Sequence, residues 1–308
     1  MINRISGPKR TGKEAKKRAK KVIQMESFRK LKVSDVMSRD VFYVKAPGKR
    51  SDALDIMKEN NISGLPVVEK KENEFLGIIT RHDIYDKSDR EQIAMLYDES
   101  VKTITSSSSM RKLVKMFISS GQYWLPVVDN GKLRGIVTPT DLLSHIERLG
   151  NDQSIIEFMG RHSVVPIYLK SPLSFAFHTL KITRIPALPV LDGKSKLSGI
   201  ISDLDIFRML ISGKSNVDLK LNTEDDVWTW EGIRDFRQIY ALPEIKLPDL
   251  NVEEVMVTDV KYLYPHSDVS RAARTMRVNN IGQLPICNSD DVLVGMLYNY
   301  DLLPLLLH

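Results

Sequence analysis

The sequence predicts an α/β protein of the α+β kind: four copies of one β-α-β-β-α unit behind a basic N-terminal arm. Three observations predict it. The heptapeptide GIITRHD (77–83) returns as GIVTPTD (135–141), GIISDLD (199–205) and, more loosely, GMLYNYD (295–301). Each copy follows a second phrase, SGLPVV (63–68), YWLPVV (123–128), ALPVL (187–191) and GQLPIC (282–287); proline to next glycine spans 11, 9, 10 and 10 residues. An acidic-apolar-Met phrase opens three units, at Asp35-Val36-Met37, Glu157-Phe158-Met159 and Glu254-Val255-Met256. Its Met precedes the closing Asp by 46, 46 and 45 residues. Self-similarity held at several spacings at once marks a repeat architecture.

The first unit shows the elements in order. Val41-Phe42-Tyr43-Val44 is a short β-rich run, followed by a Pro47-Gly48 turn. Ser51 to Asn60 has helical spacing, with Ala53, Leu54, Ile56 and Met57 as its apolar stripe. Leu65 to Val68 and Gly77 to Ile79 are apolar strands around a charged hairpin, Glu69 to Glu74, and a last helix begins at Thr80. The second unit has no clear opening phrase, although Val101 to Ile104 matches the strand that should follow. A unit of about 50 residues is too small to bury a good core alone, so units should pair.

Charge separates the arm from the body. Residues 1–32 hold twelve Lys or Arg against Glu14 and Glu26, a net +10, while the whole chain is +6. The body is therefore mildly acidic, and the asymmetry points to a polyanion contacted by one end. Thr11-Gly12-Lys13-Glu14 has capping-box spacing for a helix start, and Ala15, Ala19, Val22 and Ile23 form a narrow apolar strip among lysines. No apolar run approaches the ~20 residues of a membrane span. The basic N-terminus lacks the apolar stretch of a secretory signal. The single Cys287 excludes an internal disulfide framework and a cysteine-based zinc cluster, so a cytoplasmic protein is expected.

The recurring LPVV…GIITRHD grammar resembles the CBS motif, over residues 33–307 apart from one insertion. The resemblance implies two Bateman modules, 33–148 and 149–308, in a flat pseudo-symmetric disc behind an arm of residues 1–32. The γ subunit of the AMP-activated kinase and archaeal and bacterial stand-alone proteins share this plan. It further implies adenine nucleotides (AMP, ADP or ATP) in clefts between paired motifs. In the family signature G-h-h-[T/S]-x-x-D, with h apolar, the Asp holds ribose hydroxyls and the Thr or Ser contacts phosphate. Carried over, this gives Thr80 with Asp83, Thr138 with Asp141 and Ser202 with Asp205. The fourth unit departs, because Tyr298 replaces the hydroxyl residue while Asp301 remains.

The same residues admit a purely structural reading. A Thr or Ser ending a strand with an acid three residues later is a helix-capping arrangement. Pro139 suits the first helical position, and each Asp suits the helix dipole. A helix N-terminus is also an anion site, and a carboxylate accepts two hydroxyl hydrogens. His82 has no equivalent in the other units, whose residues there are Thr140, Leu204 and Tyr300. His145, His162, His178, His266 and His308 lack metal-ligand spacing, and no nucleophile elbow or Walker loop is present, so neither a metal nor catalysis is expected.

Two departures from the repeat remain. The insertion 212–250 carries Trp228 and Trp230, which either pack on the body or dock a protein partner such as a kinase. The arm residues Arg4, Lys9, Arg10, Lys13, Lys16, Lys17, Arg18, Lys20 and Lys21 are either solvated or lie along phosphates, with ribosomal RNA the favoured partner and no membrane role. The expectation is a non-enzymatic energy sensor, with a ribosome-docked translation-silencing or stress factor as its specific form. A rigid adaptor with vestigial clefts and a regulatory subunit are the other readings.

Overall fold

The computed structural model describes residues 12–60, 62–87, 90–149, 153–159, 164–211 and 247–307. Helix α1, Gly12–Lys30, leads into four units of one plan. Unit 1 runs from a 3₁₀ turn, Val33–Asp35, through β1 (Val44–Ala46), α2 (Arg50–Asn60), β2 (Gly64–Glu69) and β3 (Phe75–Thr80) to α3 (Arg81–Asp86). Unit 2 has α4 (Met110–Ser120), β4 (Leu125–Asp129), β5 (Lys132–Val137) and α5 (Pro139–Arg148). Unit 3 has β6 (Ile167–Tyr168), α6 (Leu173–Thr183), β7 (Ala187–Leu191), β8 (Leu197–Ser202) and α7 (Asp203–Ile211). Unit 4 has α8 (Val269–Asn279), β9 (Gln283–Cys287), β10 (Leu293–Tyr298) and a closing 3₁₀ segment, Asn299–Leu306, where the others carry an α-helix. In units 2 and 4 the first strand contracts to one parallel bridge, Ile104 to Val127 and Leu263 to Ile286.

The hairpins explain the unequal spacings. Pro66, Pro126, Pro189 and Pro285 pair with Ile78, Ile136, Ile200 and Met296, and each register shifts once, beside the glycine of the heptapeptide. Register is therefore common to all four units, and the extra or missing residues fall in the turns.

Units 1 and 2 pair, as do units 3 and 4, through their opening turns. Ser38 bridges Ile136 and Asp98 bridges Ile78, while Val257 bridges Ile200. The glycine of each heptapeptide makes room for this: Gly135 lies against Met37 and Ser38, Gly77 against Tyr97 and Asp98, Gly199 against Met256 and Gly295 against Met159. The opening of unit 2 is thus present, as the 3₁₀ turn Ile93–Met95, with Tyr97 where the other units have Met. The acidic-apolar-Met pattern misses it because an aromatic ring stands where the other units have Met.

The helices make a second pairing. One core joins units 2 and 4, with Leu113, Leu143, Val269 and Leu302 among its members, and a second joins units 1 and 3, with Leu54, Ile84, Leu173 and Phe207. Helix α5 packs along α8, where Arg277 Nη2 meets Glu147 Oε2 at 2.8 Å.

One expectation needs correction. The β run begins at Val44 rather than Val41, because Phe42 and Tyr43 are exposed and only Val44 onward finds a partner in β2. The C-terminal part of α1 is anchored to the body: Met25 and Phe28 are buried in the unit 2–unit 4 core, with the Phe28 and His145 ring centres 5.0 Å apart. Of the apolar strip, Ala19, Val22 and Ile23 are exposed. Arg4, Lys9 and Arg10 lie outside the described residues, as do Trp228 and Trp230, whereas Lys20 is exposed. No helix among the described residues is long and apolar enough to cross a membrane.

Candidate functional site

Each heptapeptide ends a strand and caps the next helix. The Thr80 amide and hydroxyl both donate to Asp83 Oδ2, at 2.8 and 2.5 Å. Thr138 does the same to Asp141 Oδ2 at 2.7 and 2.9 Å, and Ser202 to Asp205 Oδ2 at 2.8 and 2.5 Å. In the fourth unit Tyr298, a tyrosine in place of Thr or Ser, donates its amide to Asp301 Oδ2 at 2.8 Å. The capping boxes are therefore real, and in the first three units one carboxylate oxygen serves both cap bonds. A carboxylate has a second oxygen with acceptor capacity of its own, so capping and ligand binding are compatible roles.

Two clefts adjoin these caps. The first, about 440 Å³, has Thr80 and Asp83 in its wall with Asp98 and Trp124 of the paired unit and Arg184 of unit 3. The second, about 490 Å³, lies where all four units meet; it brings Thr138 and Ser202 together with Arg81, Trp124, Asp203 and Gln283. Its wall does not include Asp141 or Asp205. A smaller cavity of about 350 Å³ holds Asp301 among Tyr123, Tyr300 and Pro304. There Tyr300 stacks on Tyr298 at 5.5 Å, and burial pushes the Tyr298 hydroxyl up to about 12. Tyr298 itself is 3% exposed, so a buried aromatic ring stands at the position that Thr or Ser holds in the other units.

The clefts differ in charge. Four carboxylates, Asp83, Asp86, Asp98 and Asp203, line the first against Arg184 and His82. Asp86 is met by Lys181 Nζ at 3.1 Å and Arg184 Nη2 at 3.6 Å, and hydrogen bonds from Ser100 hold Asp98 below the usual carboxylate range. Burial instead pushes Asp141 up. Among the described residues no group of three or more His, Cys, Asp or Glu is placed to hold a metal ion.

Sequence reasoning set aside several residues that the clefts contain. Trp124 lines both clefts, and its ring lies over Gly64, where an added Cβ would stand 3.6 Å from it. Its place in the repeated phrase, one residue before LPVV, was the available signal. Arg81 and Asp203 occupy the same variable position of two heptapeptides, so a search for what recurs discards them.

Comparison with known proteins fits this architecture. The CBS domain profile matches residues 33–89, 93–148, 155–212 and 252–308, most of the chain. The crystal structure of MJ1225 from Methanocaldococcus jannaschii, a protein proposed as an archaeal homologue of γ-AMPK, superposes with a TM-score of 0.71 at 21% identity, over 89% of this chain and 99% of that one. An uncharacterized conserved protein from Pyrococcus horikoshii superposes with a TM-score of 0.59 at 24% identity, over 90% and 100%. In sequence, MJ1225 is 25% identical over 194 residues, 57% of this chain and 69% of its own length. MJ1404 of the same organism is 26% identical, over 60% of this chain and 45% of its own length.

Proposed function

The chain belongs to the CBS-domain family, and on that premise we propose that it is a non-enzymatic regulatory protein that senses adenine nucleotides. The observation that carries this reading is the first cleft. Thr80 and Asp83 there share a wall with the Trp124 indole in a volume of about 440 Å³. An indole offers a face for a purine, a carboxylate accepts from a ribose diol, and a helix N-terminus suits phosphate. We assign Thr80 and Asp83, Thr138 and Asp141, and Ser202 and Asp205 as the binding pairs, in modules spanning 33–148 and 149–308. Asp301 is the weakest candidate, since Tyr298 displaces its hydroxyl partner. AMP, ADP and ATP are the ligands to test, and exchange between them would shift which surface is presented to a partner.

Calorimetric titration with each of the three nucleotides tests the reading. Heat and a raised melting temperature with at least one support it. Neither signal with any of them leaves a rigid adaptor in its place.

The arm supplies a partner hypothesis. Its net charge of +10 over residues 1–32 suits a nucleic acid, ribosomal RNA above all. Helix α1 is anchored by Met25 and Phe28, which gives the basic turns before them a fixed base. Trp228 and Trp230 fit a docking element for a protein partner, a kinase among the candidates. Pull-down before and after replacing both tests that, and an unchanged catch removes the proposal.

A further inference from the structure

Three tyrosines break the repeat, and they gather at one cavity. Tyr123 stands where the other units have Ser63, Pro186 and Gly282, and Tyr300 where they have His82, Thr140 and Leu204. Tyr298 replaces Thr80, Thr138 and Ser202. The Tyr123 and Tyr300 rings meet at 71° with centres 5.6 Å apart, while Tyr298 lies nearly parallel to Tyr300. Tyr298 therefore backs Tyr300, and the other two rings make a corner of the cavity of about 350 Å³ between units 2 and 4. Phe117, Leu303 and Pro304 complete its apolar wall.

The charge in that wall has one sign. Asp301 is buried in it, and no Lys, Arg or His is among the described residues that line it. Burial pushes the three tyrosine hydroxyls up and the Asp301 charge adds to it, so the phenols stay neutral. A phosphate here would meet a carboxylate with no cation beside it. A small metal ion would give up water without the set of oxygen ligands it needs. A methylated ammonium spreads its charge over apolar methyl groups and is attracted both by aromatic rings and by a carboxylate.

We propose that this cavity is a receptor for an organic cation of the methylated-ammonium class, with Tyr123 and Tyr300 as its aromatic walls and Asp301 as its counter-charge. Tyr298 is a positioning residue that holds the Tyr300 ring. Unit 2 supplies one ring, and unit 4 supplies the other ring and the charge, so an occupant ties the two units together. This is a second input to the protein, and it does not depend on nucleotide binding elsewhere.

Calorimetry and thermal shift on the full chain test it, with choline and tetramethylammonium as probes. Both are expected to bind saturably and to raise the melting temperature, whereas ammonium chloride at equal ionic strength does neither. The neutral isostere of choline, with a tert-butyl group in place of trimethylammonium, should bind roughly tenfold or more weakly. Tyr123→Leu should weaken choline roughly 3- to 30-fold, the range of a cation–π contact. Tyr123 is 42% exposed, so that change is not expected to cost the fold. Tyr300→Phe keeps the ring and should keep the binding. Asp301→Asn leaves an acceptor for the Tyr298 amide and should erase most of the preference for choline over its isostere. No heat with either probe, or equal affinity for choline and its isostere, overturns the proposal. So does choline binding that neither Tyr123→Leu nor Asp301→Asn weakens. Displacement of choline by AMP would also overturn it and return the cavity to the nucleotide sites.

Discussion

Gly135 of unit 2 faces the carbonyl oxygen of Ser38 in unit 1 so closely that a Cβ there would stand 2.6 Å from it. Ser38 exchanges backbone bonds with the next residue, Ile136: Ser38 N to Ile136 O at 2.9 Å and Ile136 N to Ser38 O at 3.0 Å. The glycine of the heptapeptide is therefore a requirement of unit pairing before it is anything to do with a ligand. Gly135→Ala is expected to destabilise by about 1–3 kcal/mol, the usual cost of overpacking. Urea denaturation measures it, and an unchanged midpoint removes the close-approach argument.

The arm's anchor gives a contrast between neighbours on one helix. Phe28 is 3% exposed and Ile23 is 66% exposed. Phe28→Ala should cost about 3 kcal/mol or more, as for other buried Phe. Ile23→Ala should stay within about 0.5 kcal/mol, as for ordinary surface changes. Equal losses in the two variants would show that the anchor is misplaced.

These two cases mark what was legible in the sequence. Four units, their hairpins and their caps could be read because local chemistry repeats: a glycine, a hydroxyl and an acid at fixed offsets. The opening of unit 2 escaped because Tyr97 stands where the other units have methionine, an equivalence that letters do not show. The Met25–Phe28 anchor escaped because the arm's other apolar residues made a more regular strip. The meeting of Arg81 Nη1 with Asp203 Oδ2, 3.6 Å apart, depends on units 1 and 3 being apposed, and no local pattern encodes that.

Asp141 carries a pH signature. Burial raises its folded pKa above the ordinary aspartate value, which the unfolded chain keeps, and hydrogen bonds from Thr138 partly oppose the rise. The folded state then binds more protons than the unfolded state between those two values, so stability falls as pH rises through the window. The penalty is fully present above the folded pKa and absent below the unfolded one. Asp141→Asn keeps an acceptor for the Thr138 cap and removes the buried charge. It should therefore raise the urea midpoint at pH 7 by more than at pH 4. An effect that is independent of pH would contradict the burial argument.

Binding should be unequal among the heptapeptides if the proposed pairs hold ligand. Asp83→Ala removes a carboxylate from the wall of the first cleft, and AMP affinity there should drop roughly tenfold or more. Asp301→Ala should leave nucleotide titrations unchanged, because Tyr298 stands where the hydroxyl partner would be. Calorimetry on both variants decides, and equal losses would return the fourth unit to the set of nucleotide-binding sites.

The anchor also determines how the arm must be tested. Deleting residues 1–32 would remove Met25 and Phe28 from the core and confuse unfolding with lost binding. Deletion of residues 1–21 keeps both and still removes nine of the twelve basic residues of 1–32. If the arm lies on phosphates, co-sedimentation with ribosomes should weaken steeply between 50 and 200 mM salt, by roughly a thousandfold or more where six to ten contacts form. The truncated chain should show a weaker interaction with a shallower salt slope. Equal sedimentation of both chains at every salt concentration would place the contact elsewhere on the body.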